Sequence, residues 1–306
     1  MRTRGGMVLL FMGCAAGTAS AAGEVFWVAD TAAGAIYRFD PHLRLLSTTK
    51  GLPSPRALAD DARGGAWVAC GDAALGTRIA HVSRAGRARW APSPFALVPD
   101  IATASDGGAW VADRGTGSLV RLDSSGERRL ENPFPGIACV EVIGPRVAVG
   151  TTAGEISCFD ESLVLLAKAA VGGQIVDLRE GPGGDLWALD AAAPGRVLRL
   201  GPDLDVRGAA ILGFPAEHLA AADGGVWVAA TNAPLLRHYC PHVQMDLQLF
   251  LTGEGDPNFL ESAPEDGSAI LPIGSTVIRV GIDGTILAEA AGFGSLSGVA
   301  RGKCSG

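Results

Sequence analysis

The stretch Gly107-Gly108-Ala109-Trp110-Val111-Ala112-Asp113 recurs in altered form along this chain. Four further copies lie at residues 24–30, 64–70, 183–190 and 224–230, each with a Trp inside a short apolar run. A gap and a second apolar segment, commonly containing a basic residue, follow each copy. Apolar runs of this length bounded by Gly and Asp are typical of strands and turns. The chain is therefore predicted to be all-β.

Two degenerate copies complete the repeat. One has Val147 in the place of the Trp, and the other has Ile270 there. The seven key positions are then separated by 37 to 43 residues, which is the period of four-stranded propeller blades. We name the short strand before the Trp segment A, the Trp segment B, the segment with the basic residue C, and the following apolar run D. The sequence predicts a seven-bladed β-propeller.

The two ends of the repeat predict how the ring closes. The repeat starts directly at strand B around Trp27, so the first blade lacks a strand A. Residues 296–301 resemble a strand A that no strand B follows. We expect this C-terminal strand to complete the first blade, because pairing it there removes exposed sheet edges.

The N-terminal residues have the pattern of a signal peptide. Arg2 and Arg4 precede an apolar stretch at residues 7–12, and Ala19-Ser20-Ala21 is a small-x-small cleavage pattern. We therefore assign residues 1–21 to a signal peptide and predict export to the periplasm or the extracellular space.

The propeller domain is then residues 22–306. A lipoprotein is the alternative, because Gly13-Cys14 follows an apolar run and a lipid could be attached to Cys14. Without Cys14 an odd number of cysteines remains, which allows two disulfides at most and leaves their pairing open. These cysteines are Cys70, Cys139, Cys158, Cys240 and Cys304.

Charge and hydropathy exclude two classes of partner. The formal net charge is −7, with acidic and basic residues scattered rather than in runs, which argues against nucleic acid. No other stretch approaches the roughly 18 to 20 apolar residues that span a bilayer. We expect a monomer without a membrane span.

The pattern Asp-Gly-Gly-x-Trp-Val-Ala-Asp, a gap, and then Val-x-Arg-Leu-Asp resembles the NHL-type and streptogramin-lyase-like β-propeller superfamily. The resemblance covers nearly all of residues 22–306, and Gly181-Pro182-Gly183-Gly184-Asp185-Leu186-Trp187 is the copy nearest the lyase repeat. It implies a propeller, but members include lyases, lactonases, peptide-processing enzymes and interaction modules. The lyases use a His and Glu set with a divalent cation near the channel mouth.

Strand A should line the central channel, so residues at equivalent places in different A strands should converge. Alignment of these strands assigns one ring position to Ala57, Asp100, Asp177, His218 and Gly298, with Arg56 and Glu217 just before it. The candidate ligand-binding residues at the channel mouth are Arg56, Asp100, Asp177, Glu217 and His218.

Two functions follow from this set. The first is an exported binding module that presents one face to a protein, peptide or glycan, without an established cofactor. The alternative is a metal-dependent lyase or lactonase in which Asp100, Asp177, Glu217 and His218 hold Ca²⁺ or Mg²⁺ or act as acid and base. The same aspartates could also serve only to cap turns. No catalytic residue is identified.

Other conspicuous residues are interpreted as scaffold. The repeated tryptophans should pack between neighbouring sheets, and Asp30, Asp113 and Asp190 at the ends of B strands should be turn residues. His238, Cys240 and His242 alternate, so on an extended strand they could form a soft-metal site, with a disulfide at Cys240 as the other interpretation.

Overall fold

The computed structural model describes residues 24–72, 76–222, 224–231, 233–251, 259–263 and 266–303. The predicted signal peptide (residues 1–21), Cys14 and Cys304 lie outside the described residues. The described chain forms seven four-stranded antiparallel sheets, which confirms the predicted seven-bladed β-propeller.

The strands are numbered in chain order, and each blade uses them from A to D. Blade 1 contains β1 (Glu24–Asp30), β2 (Ala35–Phe39) and β3 (Leu45–Lys50), and blade 2 contains β4 (Pro55–Asp60), β5 (Ala66–Asp72), β6 (Gly76–Val82) and β7 (Ala88–Trp90). Blade 3 contains β8 (Asp100–Thr103), β9 (Ala109–Asp113), β10 (Ser118–Leu122) and β11 (Arg128–Pro133). Blade 4 contains β12 (Ile137–Ile143), β13 (Arg146–Thr151), β14 (Glu155–Asp160) and β15 (Leu165–Ala170).

The remaining blades follow the same order. Blade 5 contains β16 (Ile175–Glu180), β17 (Leu186–Asp190), β18 (Arg196–Leu200) and β19 (Val206–Ile211). Blade 6 contains β20 (Ala216–Ala222), β21 (Gly225–Ala230), β22 (Leu235–Tyr239) and β23 (Met245–Phe250). Blade 7 contains β24 (Glu261–Ala263), β25 (Ser268–Ile273), β26 (Thr276–Val280) and β27 (Ile286–Ala291), and β28 (Leu296–Lys303) returns to blade 1.

The ring is closed by the C-terminal strand, as predicted. β28 pairs antiparallel with β1, with Ala300 opposite Trp27 and Val299 opposite Val28. Blade 1 thus combines both ends of the repeat, and its strand A is the last strand of the chain. Separating blade 1 from its neighbours would require unpairing this strand.

The repeated tryptophans hold neighbouring blades together. Trp27 is fully buried in a cluster with Ala66 and Val68 of blade 2. Trp67 is buried in the same way against Ala109 and Val111 of blade 3. Large buried aromatic side chains contribute strongly to packing, and here each contribution falls at an interface between sheets. The tryptophans are scaffold, as expected.

In blade 4 the expected key position is wrong by one residue. The key residue of strand B pairs with the basic residue of strand C, as Trp110 does with Arg121. In blade 4 the corresponding pair is Ala148 with Cys158, so Ala148 rather than Val147 is the key residue. Val147 points to the opposite face and joins the cluster around Trp110. The sequence alignment chose the larger apolar residue of this blade. Strand register, and not the size of a residue, decides which face of the sheet its side chain occupies.

The aspartates at the ends of three B strands are buried turn residues, as predicted. Their carboxylates accept hydrogen bonds from backbone amides in the loop that leads into strand A: Asp30 from Gly294 and Ser295, Asp113 from Ala96 and Leu97, and Asp190 from Gln174. Each therefore ties the turn after strand B to the loop between strands D and A.

The four described cysteines, Cys70, Cys139, Cys158 and Cys240, are free thiols. Burial raises the pKa of Cys70 to about 12. In the described part of the chain, no helix has both the length and the apolar character that crossing a membrane requires.

The contact between the closing strand and blade 2 can be tested at Gly298. A Cβ added there would overlap the backbone oxygen of Arg56 on the neighbouring strand A. We expect Gly298→Ala to lower the free energy of unfolding by about 1–3 kcal/mol, the usual effect of overpacking. Gly224→Ala is the matched control, because a Cβ there meets open space. Equal urea midpoints for the two variants would contradict this account of the closure.

Candidate functional site

The A strands present residues to the channel at two levels. At the first level each residue pairs with the position two after the key residue of strand B. The pairs are Asp100 with Ala112, Asp177 with Leu189, His218 with Ala229, and Gly298 with Ala29. The alignment made from the sequence is therefore confirmed for these four. Ala57 lies where the register of β4 shifts, between Pro55 and Leu58.

At the second level the A-strand residue pairs with the key residue itself. Four blades have alanine there: Ala59, Ala102, Ala220 and Ala300. The other three have Glu141, Arg179 and Glu261. Sequence reasoning missed these three charged residues. The signal was available, since moving the same alignment two residues along strand A reveals a charged side chain in place of a recurring alanine.

Two cavities open at opposite ends of the channel. The first, of about 420 Å³, lies among the B–C turns and D–A loops, and we call it the D–A mouth. The second, of about 520 Å³, lies among the A–B turns, and we call it the A–B mouth. Arg179 and Asp100 line both cavities, so they mark the place where the two meet.

All five candidate residues from the sequence line the D–A mouth: Arg56, Asp100, Asp177, Glu217 and His218. Arg114, from the turn after β9, and Phe259, just before β24, lie in the same lining and were not predicted. Phe259 could have been found by aligning blade 7, because it lies two residues before Glu261 on the way into strand A.

The A–B mouth is strongly acidic. Its lining includes Asp60, Glu141, Glu180 and Glu261, whereas Arg301 joins Arg179 as the positive charge. Carboxylates therefore exceed guanidinium groups at this end. At the D–A mouth the acidic and basic side chains balance, which makes the two ends of the channel electrostatically different.

Arg179 is the central cation of the channel. Its Nη1 lies 2.6 Å from Oδ1 of Asp177 and donates a hydrogen bond to the carbonyl oxygen of Leu178 at 2.8 Å. Burial alone would lower the pKa of Arg179, but the attraction of Asp177, Glu141 and other carboxylates outweighs it and raises the pKa. The guanidinium group stays charged and neutralises the surrounding acids.

Asp100 and Asp177 are already engaged by the scaffold. Oδ1 of Asp100 accepts the amide of Ile101 and Oδ2 that of Val140 in blade 4, both at 2.9 Å. Oδ2 of Asp177 accepts the amide of Leu219 in blade 6 at 2.9 Å. Burial raises the pKa of both carboxyl groups, while Arg179 opposes that effect. The two aspartates join neighbouring A strands.

The carboxylate of Glu141 is only partly compensated. Burial raises its pKa to about 8, although Arg179 and the amide of Glu180, which donates to its Oε1 at 3.1 Å, both oppose the shift. Repulsion from Asp100 and Glu261 adds to the effect of burial. Near neutral pH this glutamate is therefore largely protonated.

His218 contributes a neutral aromatic ring to the lining of the D–A mouth. Its ring stacks on Phe259 with the ring centres 4.4 Å apart. Its Nδ1 lies 3.8 Å from Oδ2 of Asp177, which is too long for a hydrogen bond. Burial and the nearby Arg179 lower the pKa of His218 to about 3. The imidazole is thus neutral at physiological pH and is poorly matched to acid–base catalysis there.

The predicted divalent cation does not fit this arrangement. Within the described residues, no group of three or more His, Cys, Asp and Glu side chains is placed to hold a metal ion. The oxygens of Asp100 and Asp177 are occupied by backbone amides and by Arg179, whose positive charge lies where a cation would have to bind. We derive no reaction through a metal.

The His238, Cys240 and His242 pattern does not form one strand face. β22 ends at Tyr239, so Cys240 and His242 belong to the following turn. His238 instead packs on Trp227, and its Nδ1 is hydrogen-bonded to Oδ1 of Asp246 at 2.7 Å. It occupies the C-strand position that is Arg in several other blades.

These features define a seven-bladed β-propeller with a polar, cation-centred channel. The fold is similar to a streptogramin B lyase, with a TM-score of 0.68 and 14% identity over 87% of each chain. It is also similar to virginiamycin B lyase from Staphylococcus aureus, with a TM-score of 0.69 and 14% identity over 84% of this chain and 90% of that one. One structure of that enzyme is of a catalytically inactive variant with quinupristin.

AztD from Citrobacter koseri is a further structural neighbour, with a TM-score of 0.69 and 11% identity over 93% of this chain and 99% of that one. At such identities the likeness establishes the architecture alone. No protein-family model and no curated protein sequence matches the chain.

Replacing Arg179 tests the role of the central cation. We expect Arg179→Met to lower the free energy of unfolding by about 3 kcal/mol at pH 7, because it leaves buried carboxylates without their counter-charge. The deficit should shrink at pH 5, where those carboxyl groups take up protons. Arg56→Met is the control and should unfold like the wild type. Denaturation at pH 5 and pH 7 checks this, and an equal loss of unfolding free energy at the two pH values would contradict it.

Glu141 makes stability depend on pH in a defined direction. Its pKa in the folded state lies above that of an ordinary glutamate, so its neutral form supports the fold at acidic pH and this support is lost as the pH rises towards 8. Glu141→Gln keeps an oxygen to accept the amide of Glu180. We expect the free energy of unfolding of this variant, measured relative to that of the wild type, to rise by about 1–2 kcal/mol between pH 5 and pH 9.

Glu217→Gln is the control for this measurement, because Glu217 is exposed at the D–A mouth. Its stability should follow that of the wild type at every pH. A Glu141→Gln variant whose difference from wild type does not change between pH 5 and pH 9 would show that Glu141 is ionised throughout.

Proposed function

We propose that this protein is an exported, non-catalytic binding module that takes a peptide, protein or glycan ligand at the D–A mouth. The observation that carries the proposal is convergence. Five residues chosen from the alignment of the A strands come from four different blades and surround one cavity of about 420 Å³. A cavity of this size is within the range of ligand pockets, roughly 300–1,000 Å³.

The different positions of the repeated and the non-repeated side chains support binding. The repeated side chains pack between blades, whereas the D–A mouth is lined by residues that differ from one repeat to the next. Its walls stand on strands anchored to their neighbours, and variable loops surround them. Rigid scaffolds with variable loops are a common basis for recognition. Export and a monomeric state are parts of this proposal.

The state of the titratable groups favours binding over catalysis. His218 is neutral, and the two aspartates at the first level are engaged by backbone amides. In the described lining of the mouth the one acidic side chain without a partner is Glu217, at the exposed rim, and no set of metal ligands is formed. The likeness to lyases is one of fold, so it does not reverse this preference.

The test is a binding screen of residues 22–306 against a peptide library and a glycan array. We expect ligands whose binding is lost in the Arg56→Ala, Glu217→Ala double variant. The matched control is the Arg87→Ala, Asp203→Ala double variant, which removes the same charges from exposed turns on the opposite face. Equal binding by both double variants, or metal-dependent turnover that Asp177→Ala abolishes, would overturn the proposal.

A further inference from the structure

The D–A mouth contains two guanidinium groups that nothing in the fold uses. Arg56, from β4, and Arg114, from the turn after β9, both line the cavity. Within the described residues, neither side chain has an ion pair or a hydrogen bond. Other arginines contrast with them: Arg196 and Arg199, for example, form ion pairs at 2.6 Å with Asp190 and Asp185.

Unpaired guanidinium groups in a partly enclosed cavity favour an anionic ligand. Arginine presents a planar fork of donors that matches a carboxylate in a bidentate geometry. The third arginine of the lining, Arg179, is already paired with Asp177. The positive charge available to a ligand is therefore that of Arg56 and Arg114.

The remaining lining favours an apolar group beside that charge. Half of the residues around the D–A mouth carry apolar side chains, among them Leu97, Val98 and Val176. Phe259 and the neutral ring of His218 stack together and add an uncharged aromatic wall. A ligand that fits both features has a carboxylate next to an apolar side chain, which is the chemistry of a peptide C-terminus.

A glycan fits this lining less well. Sugar hydroxyl groups need many hydrogen-bond partners, and leaving them unmade in a cavity is unfavourable. The only uncharged hydrogen-bonding side chains in the described lining, apart from the imidazole of His218, are Thr152 and Gln174. The carboxylates of Asp100 and Asp177 are occupied by backbone amides.

The two ends of the channel also differ in what they admit. A carboxylate at the A–B mouth would meet Asp60, Glu180 and Glu261, and like charges repel it there. At the D–A mouth the one acidic side chain without a described partner is Glu217, at the exposed rim. Glu217 disfavours a second negative charge next to the C-terminus.

We propose that the D–A mouth binds the C-terminal end of a peptide chain, with Arg56 and Arg114 holding the terminal carboxylate and the apolar walls holding the last side chain. This inference rests on the proposed function and specifies its ligand class. A peptide with an acidic residue next to the terminus binds more weakly, because Glu217 repels it.

The experiment compares a dye-labelled pool of pentapeptides ending in Leu, Val or Phe with the same pool amidated at the C-terminus. Fluorescence polarisation with residues 22–306 should show saturable binding of the free acids and about a tenfold weaker binding of the amides. Arg56→Gln and Arg114→Gln should each remove most of this difference. Arg87→Gln, on the opposite face, should preserve it.

The control for folding is the melting temperature, which Arg56→Gln and Arg114→Gln should leave near the wild-type value because neither side chain has an internal partner. Equal affinity for acids and amides would overturn the inference, as would no peptide binding at all. Glycan or protein binding that the Arg56→Ala, Glu217→Ala variant abolishes would overturn it while leaving the proposed function intact. Absence of every ligand would overturn both.

Discussion

The ring depends on the packing of a large strand-B side chain, present in six of the seven blades, into the sheet that follows. Trp27, for example, is fully buried against blade 2, and the other repeated tryptophans occupy the same place in their blades. The partner across the sheet is usually basic or imidazole: Arg38 lies over the ring of Trp27, and His81 packs on that of Trp67. In blade 4 both positions of this pair have small side chains, with Ala148 opposite Cys158. The strand register is therefore the same as in the other blades, although no large side chain packs at this position.

The channel depends on a second constraint, the balance of one buried cation against several carboxylates. Four blades place alanine at the second level, which leaves room there, and Arg179 extends into that room. Asp177 and Glu141 would be poorly tolerated without it, because burial disfavours their charged forms. Burial, together with the same cation, lowers the pKa of His218 and keeps its imidazole neutral near neutral pH. Burial and one arginine thus act together on the protonation states of these neighbours.

Much of the fold could be predicted because its signals are local and repeat. Strand order, blade number and closure follow from the frame around each Trp, and the strand-A alignment placed Asp100, Asp177 and His218 on one level. The error at Val147 arose because two adjacent apolar residues cannot be ranked without strand pairing. Arg114 was missed because a turn carries no repeat signature, and Phe259 because strand A of blade 7 was not included in the alignment.

The sequence by itself determined the number of blades, the strand that closes the ring and four of the residues at the first level of the channel, because each depends on periodicity along the chain. Only the tertiary structure decided what those residues can do. Whether an aspartate can bind a ligand depends on hydrogen bonds from backbone amides of the next blade. Whether His218 carries a proton depends on its burial and on Arg179, nearly forty residues away in sequence. Charges act on one another through space, whereas a sequence repeat gives only positions along the chain, so these protonation states could not be predicted from the repeat.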